Sequence, residues 1–62
     1  MARHKPLIGI PADRRLLGLH PFHCVGEKYI AAVAEAADAV PVLLPVLGER
    51  DLDTWLEHLD GI

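Results

Sequence analysis

The chain has 62 residues, a formal net charge of −3 at pH 7 and a pI near 5.7; 52% of its residues are hydrophobic and 24% are charged. This composition is too apolar for a disordered tail, and its acidic balance argues against nucleic acid, which binds to basic surfaces. At this length the chain forms at most one small domain, whose core contributes only about 3–5 kcal/mol unless disulfides or a metal reinforce it.

Cysteine usage removes the usual reinforcements of a small protein. Cys24 is the only cysteine, so no internal disulfide forms, and no set of Cys and His residues has zinc-finger spacing. No apolar window approaches the length of a membrane span, and no export signal precedes the first apolar run. We therefore expect a cytoplasmic protein that binds neither membranes nor a metal.

The first half of the chain predicts a strand, a loop and a helix. Residues 6–12, "PLIGIPA", are continuously apolar, which is typical of a parallel strand covered on both faces. Residues 13–26 are rich in Gly, Pro, Arg and His and predict a loop. Residues 27–40 change to helical spacing, and their apolar stripe consists of Tyr29, Ile30, Val33, Ala36, Ala37 and Val40.

The second half repeats the strand and the helix. Residues 40–46, "VPVLLPV", predict a second buried strand. Asp51 is a suitable N-cap for a second helix and Gly61 a suitable stop, with Ile62 opening another strand. The apolar stripe of this helix comprises Leu52, Trp55, Leu56 and Leu59. On both stripes the aromatic residue is expected to be buried in the core.

The order β-α-β-α, with a hint of a further strand, predicts an α/β fold. It corresponds to the opening of a doubly wound, flavodoxin-like parallel sheet. Two helices on one side cannot cover two strands that are buried on both faces, and both outer edges of such a sheet stay open. We therefore expect residues 1–62 to be the N-terminal part of a single domain, with the remainder in a second chain or in a segment missing from this one.

The stretch "HPFHCVGEKY", residues 20–29, admits three interpretations. A nucleophile at Cys24 is disfavoured because Phe22 stands where a strand–turn–helix elbow needs Gly. A metal site at His20, His23 and Cys24 lacks a fourth ligand at a fitting spacing. The simplest interpretation is a loop whose side chains pack or form hydrogen bonds, so we assign no catalytic and no metal-binding residue.

The position of the predicted loop in the fold indicates that it contributes to a binding site. It leaves the carboxyl end of the first strand, where doubly wound sheets place their ligand crevices. Because arginine forks match carboxylates, the candidates for binding an acidic substrate are Arg14, Arg15, His20 and His23. A solvated loop or a subunit contact is the alternative.

Taken in order, "KPLIGIPADRR", "HPFHCVGEKYIAAVAEAADAVPVLLPVL" and "LDTWLEHLDGI" resemble the N-terminus of γ-glutamyl-γ-aminobutyrate hydrolases. These enzymes belong to the class I glutamine-amidotransferase-like superfamily, beside the γ-glutamyl hydrolases. The most specific pieces are "IGI" before an Arg-rich loop, "GEKYI", "VPVLLP" and the final "LDGI". One departure is "EAADAV", where the family usually has a Gly-containing turn; we expect Asp38 to adopt the left-handed conformation instead.

The resemblance implies hydrolysis of γ-glutamyl amide bonds by a Cys–His–Glu triad, without a cofactor, as in polyamine (putrescine) catabolism. A thiolate attacks the amide carbonyl, a thioester forms and is hydrolysed, and backbone amides hold the oxyanion. In the family the oxyanion segment follows directly on the "LDGI" strand and the triad comes later, so every triad member would lie outside residues 1–62. The implied partners are a small γ-glutamyl substrate and the remainder of the domain, and a homodimer would suit the fold.

Two other functions fit the same residues. The first lobe of a small-molecule-binding protein of the periplasmic-binding or sugar-repressor type also begins with an "IGI"-like strand, a loop and an amphipathic helix. A free-standing interaction module would complete its sheet on a partner. A Gly-rich turn after Ile62 and a later G-x-C-x-G favour the hydrolase, whereas two lobes without such a cysteine favour the binding protein.

Overall fold

The structure, a computed structural model, describes residues 4–62. Its strands are β1 (Leu7–Pro11), β2 (Asp13–Leu17), β3 (His20–Cys24) and β4 (Val40–Leu44). Its helices are α1 (Glu27–Ala31), which continues into a π-helical turn (Ala32–Ala36), and α2 (Leu52–His58). No helix in this part of the chain is long and apolar enough to cross a bilayer.

The parallel sheet has β1 at its centre. Along one edge, β1 pairs in parallel with β4 over its whole length. Along the other edge, a parallel bridge joins Ile8 to Gly61, and the backbone N–H of Gly9 donates to the carbonyl oxygen of Gly61 at 2.8 Å. The parallel order is therefore β4, β1 and the segment at Gly61, which confirms the predicted flavodoxin-like α/β opening. The chain rejoins the sheet one residue before the predicted Ile62.

The two helices lie on opposite faces of β1. Successive residues of a strand alternate between the faces of the sheet. A Cβ atom placed on Gly9 would lie 2.7 Å from Cδ1 of Leu59, the residue that directly follows α2. Ile10, on the other face, shares a cleft with Tyr29 of α1. The central strand is thus flanked on both sides, as the doubly wound fold requires.

Residues 13–26, predicted as a loop, are mostly a β-hairpin, so that prediction was wrong. β2 and β3 pair in antiparallel register and are joined by two residues, Gly18 and Leu19. Gly18 has a φ of 67°, and a glycine with positive φ at the first loop position is typical of a type II′ turn. The missed signal was this Gly-X pair between two five-residue runs.

The first helix ends well before the predicted residue 40. Its last turn is π-helical, and Asp38 then has a φ of 49°, which confirms that it adopts the left-handed conformation in place of a glycine. The backbone N–H of Ala39 closes the helix end by donating to the carbonyl oxygen of Val33 at 3.0 Å. Val40 therefore begins β4 instead of ending the helix.

The second helix occurs where it was predicted, but both of its ends differ. Asp51 stands at the N-cap position, where its carbonyl oxygen accepts from the N–H of Trp55 at 3.1 Å, yet its side chain makes no capping bond. Its φ of 62° is left-handed, unlike the extended conformation of an ordinary N-cap. Leu59 is already extended and Gly61 pairs with β1, so the predicted helix stop at Gly61 was wrong.

Few side chains are buried in the described part of the chain. Ala39 and Leu44 are 4% and 5% exposed, Trp55 is half-buried, and Tyr29 is 56% exposed. The prediction of a core aromatic was therefore wrong for Tyr29, because the cleft that it lines beside Ile10 is open to solvent within residues 4–62. The radius of gyration, 13.2 Å, exceeds the value of about 11 Å expected of a compact domain of this length.

Candidate functional site

An open apolar cleft lies at the carboxyl ends of the parallel strands. It has a volume of about 280 Å³ and includes the last residues of β1 and β4, Pro11 and Leu44, together with Ile62. The β4–α2 connection and α2 contribute Pro45, Val46, Leu47, Gly48, Leu52 and Trp55. Doubly wound sheets bind their ligands at this end of the strands, so this cleft is the candidate substrate site.

A second cleft lies on the opposite face of β1, between the hairpin and α1. Its volume is about 350 Å³, and its lining includes Asp13, Cys24 and Tyr29. Asp13 and Cys24 are directly opposite each other in the hairpin register. This cleft brings a thiol near a carboxylate, but no histidine lines it to serve as a base.

His23 ties the hairpin to the apolar cleft. The backbone N–H of Val46, which lines that cleft, donates to Nδ1 of His23 at 3.0 Å. Because Nδ1 accepts this bond, the proton of the neutral imidazole lies on Nε2. His23 therefore holds one face of the hairpin beside the carboxyl end of β4 and retains an N–H donor at Nε2.

The four predicted site residues form two pairs on opposite faces of the hairpin. Arg14 lies directly opposite His23 in the antiparallel register, so their side chains share a face. Arg15 and His20 share the other face, because side chains alternate along each strand. Only the first pair is on the face that contacts Val46. As substrate-binding residues, all four remain predictions.

Cys24 is the last residue of the hairpin strand β3, and it does not follow a buried strand. It is half-buried, two residues before Gly26, the N-cap of α1. A nucleophile elbow follows a buried strand, whereas the rest of β3 is exposed and antiparallel. His20 and His23 lie on opposite faces of that strand, and within residues 4–62 no three His, Cys, Asp or Glu side chains are grouped to hold a metal.

The β4–α2 connection is a part of the site that sequence reasoning missed. Its contact with the hairpin joins Val46 to a histidine 23 residues earlier, and no local pattern reports such a contact. The available signal was position, because this connection also leaves the carboxyl end of a predicted parallel strand.

The profile of the peptidase C26 family matches residues 6–62, which is nearly the whole chain. The chain belongs to the peptidase C26 family. Membership agrees with the class I glutamine-amidotransferase-like superfamily that the resemblance indicated, and it supports a function of the glutamine-amidotransferase or γ-glutamyl hydrolase type. No curated protein matches the chain closely enough to count as a relative.

The hairpin of this peptidase C26 chain carries two arginines, Arg14 and Arg15, that no ion pair within residues 4–62 neutralises. Within residues 4–62 the only ion pair joins Lys5 to Asp38, at 3.1 Å between Nζ and Oδ1 on the exposed surface. Arg14 and Arg15 are both exposed and form no ion pair with a carboxylate of that part of the chain. Their guanidinium groups are therefore available to an anionic ligand.

Proposed function

We propose that this chain is the opening segment of an enzyme that hydrolyses γ-glutamyl amide bonds, in γ-glutamyl-γ-aminobutyrate or a related γ-glutamyl compound. Membership of the peptidase C26 family carries the proposal. The apolar cleft at the carboxyl ends of β1 and β4 supports it, because a doubly wound sheet binds its substrate there. Family membership also favours a hydrolase over a binding-protein lobe or an interaction module.

The proposed reaction uses a cysteine, a histidine and a glutamate that lie outside residues 1–62. The thiolate attacks the amide carbon, and the histidine gives a proton to the departing amine as the thioester forms. The histidine then takes a proton from the attacking water, and the thiolate leaves as the γ-carboxylate is released. No cofactor is required, and the present chain acts as the scaffold of the site.

We infer that residues 60–61 position the oxyanion loop, which in the proposed enzyme comes directly after Ile62. The hydrogen bonds of Asp60 and Gly61 to β1 support this role. The N–H of Asp60 donates to the carbonyl oxygen of Leu7 at 2.8 Å, and Oδ2 of Asp60 accepts from the N–H of Leu7 at 2.7 Å. The N–H of Gly9 donates to Gly61 at 2.8 Å. Bonds to an ionised carboxylate are shorter and stronger than neutral ones, so the segment is firmly attached to the central strand.

The remainder of the domain is the proposed principal partner of this chain. Large apolar side chains remain exposed on its strands and helices, in the hairpin turn and at residue 62, and they include Leu16, Leu17, Leu19, Phe22, Tyr29, Leu43, Leu56 and Ile62. Exposed apolar surface of this extent is typical of contact surfaces. We place the complete protein in the cytoplasm, acting on a small γ-glutamyl substrate, with a homodimer as the compatible assembly.

Steady-state hydrolysis of γ-glutamyl-γ-aminobutyrate by the complete protein tests this function. We expect hydrolysis by the wild type. We expect Cys24→Ser to keep kcat/KM within about twofold, because serine nearly preserves the size of this half-buried side chain and Cys24 lies outside the proposed triad. Removing a true nucleophile costs on the order of 10⁶-fold. A loss above about 10³-fold in Cys24→Ser would contradict the external triad. A wild-type protein that cleaves no γ-glutamyl amide would contradict the function itself.

A further inference from the structure

We propose that the hairpin binds a carboxylate of the substrate through one face only, the face of Arg14 and His23, while Arg15 and His20 take no part. This inference rests on the proposed function and divides the four candidate residues by geometry. Arg14 thereby becomes a residue that determines specificity, and His23 both positions the hairpin and offers a second donor.

The strand register separates the two arginines. Arg14 lies opposite His23, and Arg15 lies opposite Phe22, which is the adjacent position on the other side of the ribbon. Directly opposite residues of an antiparallel pair share a face, and neighbours along a strand do not. An approach to the hairpin from one side therefore meets only one of the two guanidinium groups.

The anchor at Val46 decides which face meets the cleft. Nδ1 of His23 accepts the N–H of Val46 at 3.0 Å, and Val46 lines the apolar cleft together with Leu44, Trp55 and other residues. The Arg14 face is thus attached to the rim of the cleft at the carboxyl end of β4. The face of Arg15 is turned from that contact.

The two faces also differ in charge. Asp13 lies two residues from Arg15 and therefore on the same face, where its carboxylate offsets the guanidinium charge. The Arg14 face of the hairpin strands carries Leu16, Pro21 and His23, none of which is acidic. An anion is therefore attracted more strongly to the face of Arg14.

The class of ligand follows from the donors of Arg14 and His23 and from the apolar cleft beside them. A guanidinium fork and an imidazole N–H at Nε2 are donors that match a carboxylate, and the cleft next to them is apolar. The fitting substrates are γ-glutamyl amides in which a methylene chain separates the scissile bond from a carboxylate. That carboxylate belongs either to the glutamyl group or to the released amine.

The test compares Arg14→Gln with its matched control Arg15→Gln in the complete protein. The two substrates are γ-glutamyl-γ-aminobutyrate and γ-glutamyl-propylamide, which lacks the second carboxylate. We expect Arg14→Gln to raise KM roughly ten- to hundredfold, as the loss of a charge-assisted hydrogen bond does, with kcat within about twofold. Arg15→Gln should leave both constants within about twofold.

The substrate pair identifies which carboxylate is bound. A rise in KM restricted to the aminobutyrate compound assigns the carboxylate of the amine, and an equal rise for both assigns that of the glutamyl group; either supports the proposal. Equal effects of the two substitutions, or an unchanged KM in Arg14→Gln, would overturn it. Thermal unfolding of both variants checks that each is folded.

Calorimetric binding of glutarate separates this inference from the proposed function. A protein that hydrolyses no γ-glutamyl amide still supports the inference if glutarate binds and Arg14→Gln alone weakens its Kd about tenfold or more. The inference is rejected if glutarate does not bind, or if both substitutions weaken binding equally.

Discussion

In isolation, the 62-residue chain is expected to show no cooperative unfolding transition. Of its described hydrophobic residues only Ala39 and Leu44 are buried, and full burial of a large apolar side chain contributes about 1.5–3 kcal/mol. Ordering the backbone costs about 1–2 kcal/mol for each residue, so this burial cannot offset the loss of entropy. Urea titration followed by far-UV circular dichroism, with amide dispersion in a ¹H–¹⁵N spectrum, measures the effect.

The hairpin adds little stability in the isolated chain. Residues 13–23 are all exposed, and a two-stranded hairpin is marginal in water without a packed face. The complete protein is the control, and we expect it to give a sigmoidal urea transition. A sigmoidal transition and dispersed amide resonances in the isolated chain would show instead that the 62 residues form a self-sufficient fold.

The second large effect is expected from Gly9→Val in the complete protein. A Cβ atom at this central position of β1 would lie 2.7 Å from Cδ1 of Leu59 and 2.8 Å from Cδ1 of Leu44. Leu44 is 5% exposed and has little room to move. We expect the free energy of unfolding to fall by about 3 kcal/mol, the upper part of the range for overpacked sites. Urea denaturation of the two proteins measures the difference.

Gly26→Ala is the matched control for that substitution. Its Cβ would meet only the ring of Tyr29, at 3.2 Å, and this ring is exposed and able to turn away. We expect a change in the free energy of unfolding below about 1 kcal/mol. Equal destabilisation by the two substitutions would mean that Leu59 and Leu44 do not pack against Gly9 as the structure has them.

The parallel strands could be predicted because their apolar pattern indicates burial on both faces of a sheet. "PLIGIPA" and "VPVLLPV" are continuously apolar, which is typical of strands flanked on both faces, and β1 and β4 form within those bounds. The conformation of Asp38 could be predicted for a different reason: the resemblance implied a glycine-containing turn at "EAADAV", and Asp tolerates the left-handed conformation that glycine would supply.

The hairpin could not be predicted from periodicity. Strand alternation arises when one face is buried, and neither face of β2 is covered within residues 4–62, so "DRRLL" shows no alternating pattern. The prediction for Tyr29 was wrong for the converse reason. Its helical spacing indicates a buried face, but nothing within residues 4–62 covers this side chain.

The candidate site residues could be chosen from their position in the chain, but their arrangement in three dimensions could not be predicted. The carboxyl end of β1 follows from the predicted sheet, so the four candidate side chains could be chosen from the segment after it. Their division into two faces depends on a register that the loop prediction did not contain. The bond from Val46 to His23 is long-range, and only a folded chain reveals it.

Trapping the nucleophile tests most directly the claim that this chain is a scaffold whose catalytic cysteine lies elsewhere. The complete protein is treated with a glutamine analogue that carries a diazoketone, an electrophile that alkylates the attacking thiolate, and the adduct is located by peptide mass mapping. We expect one adduct, on a cysteine outside residues 1–62, with Cys24 unmodified. An adduct on Cys24 that forms in step with the loss of hydrolysis would contradict it.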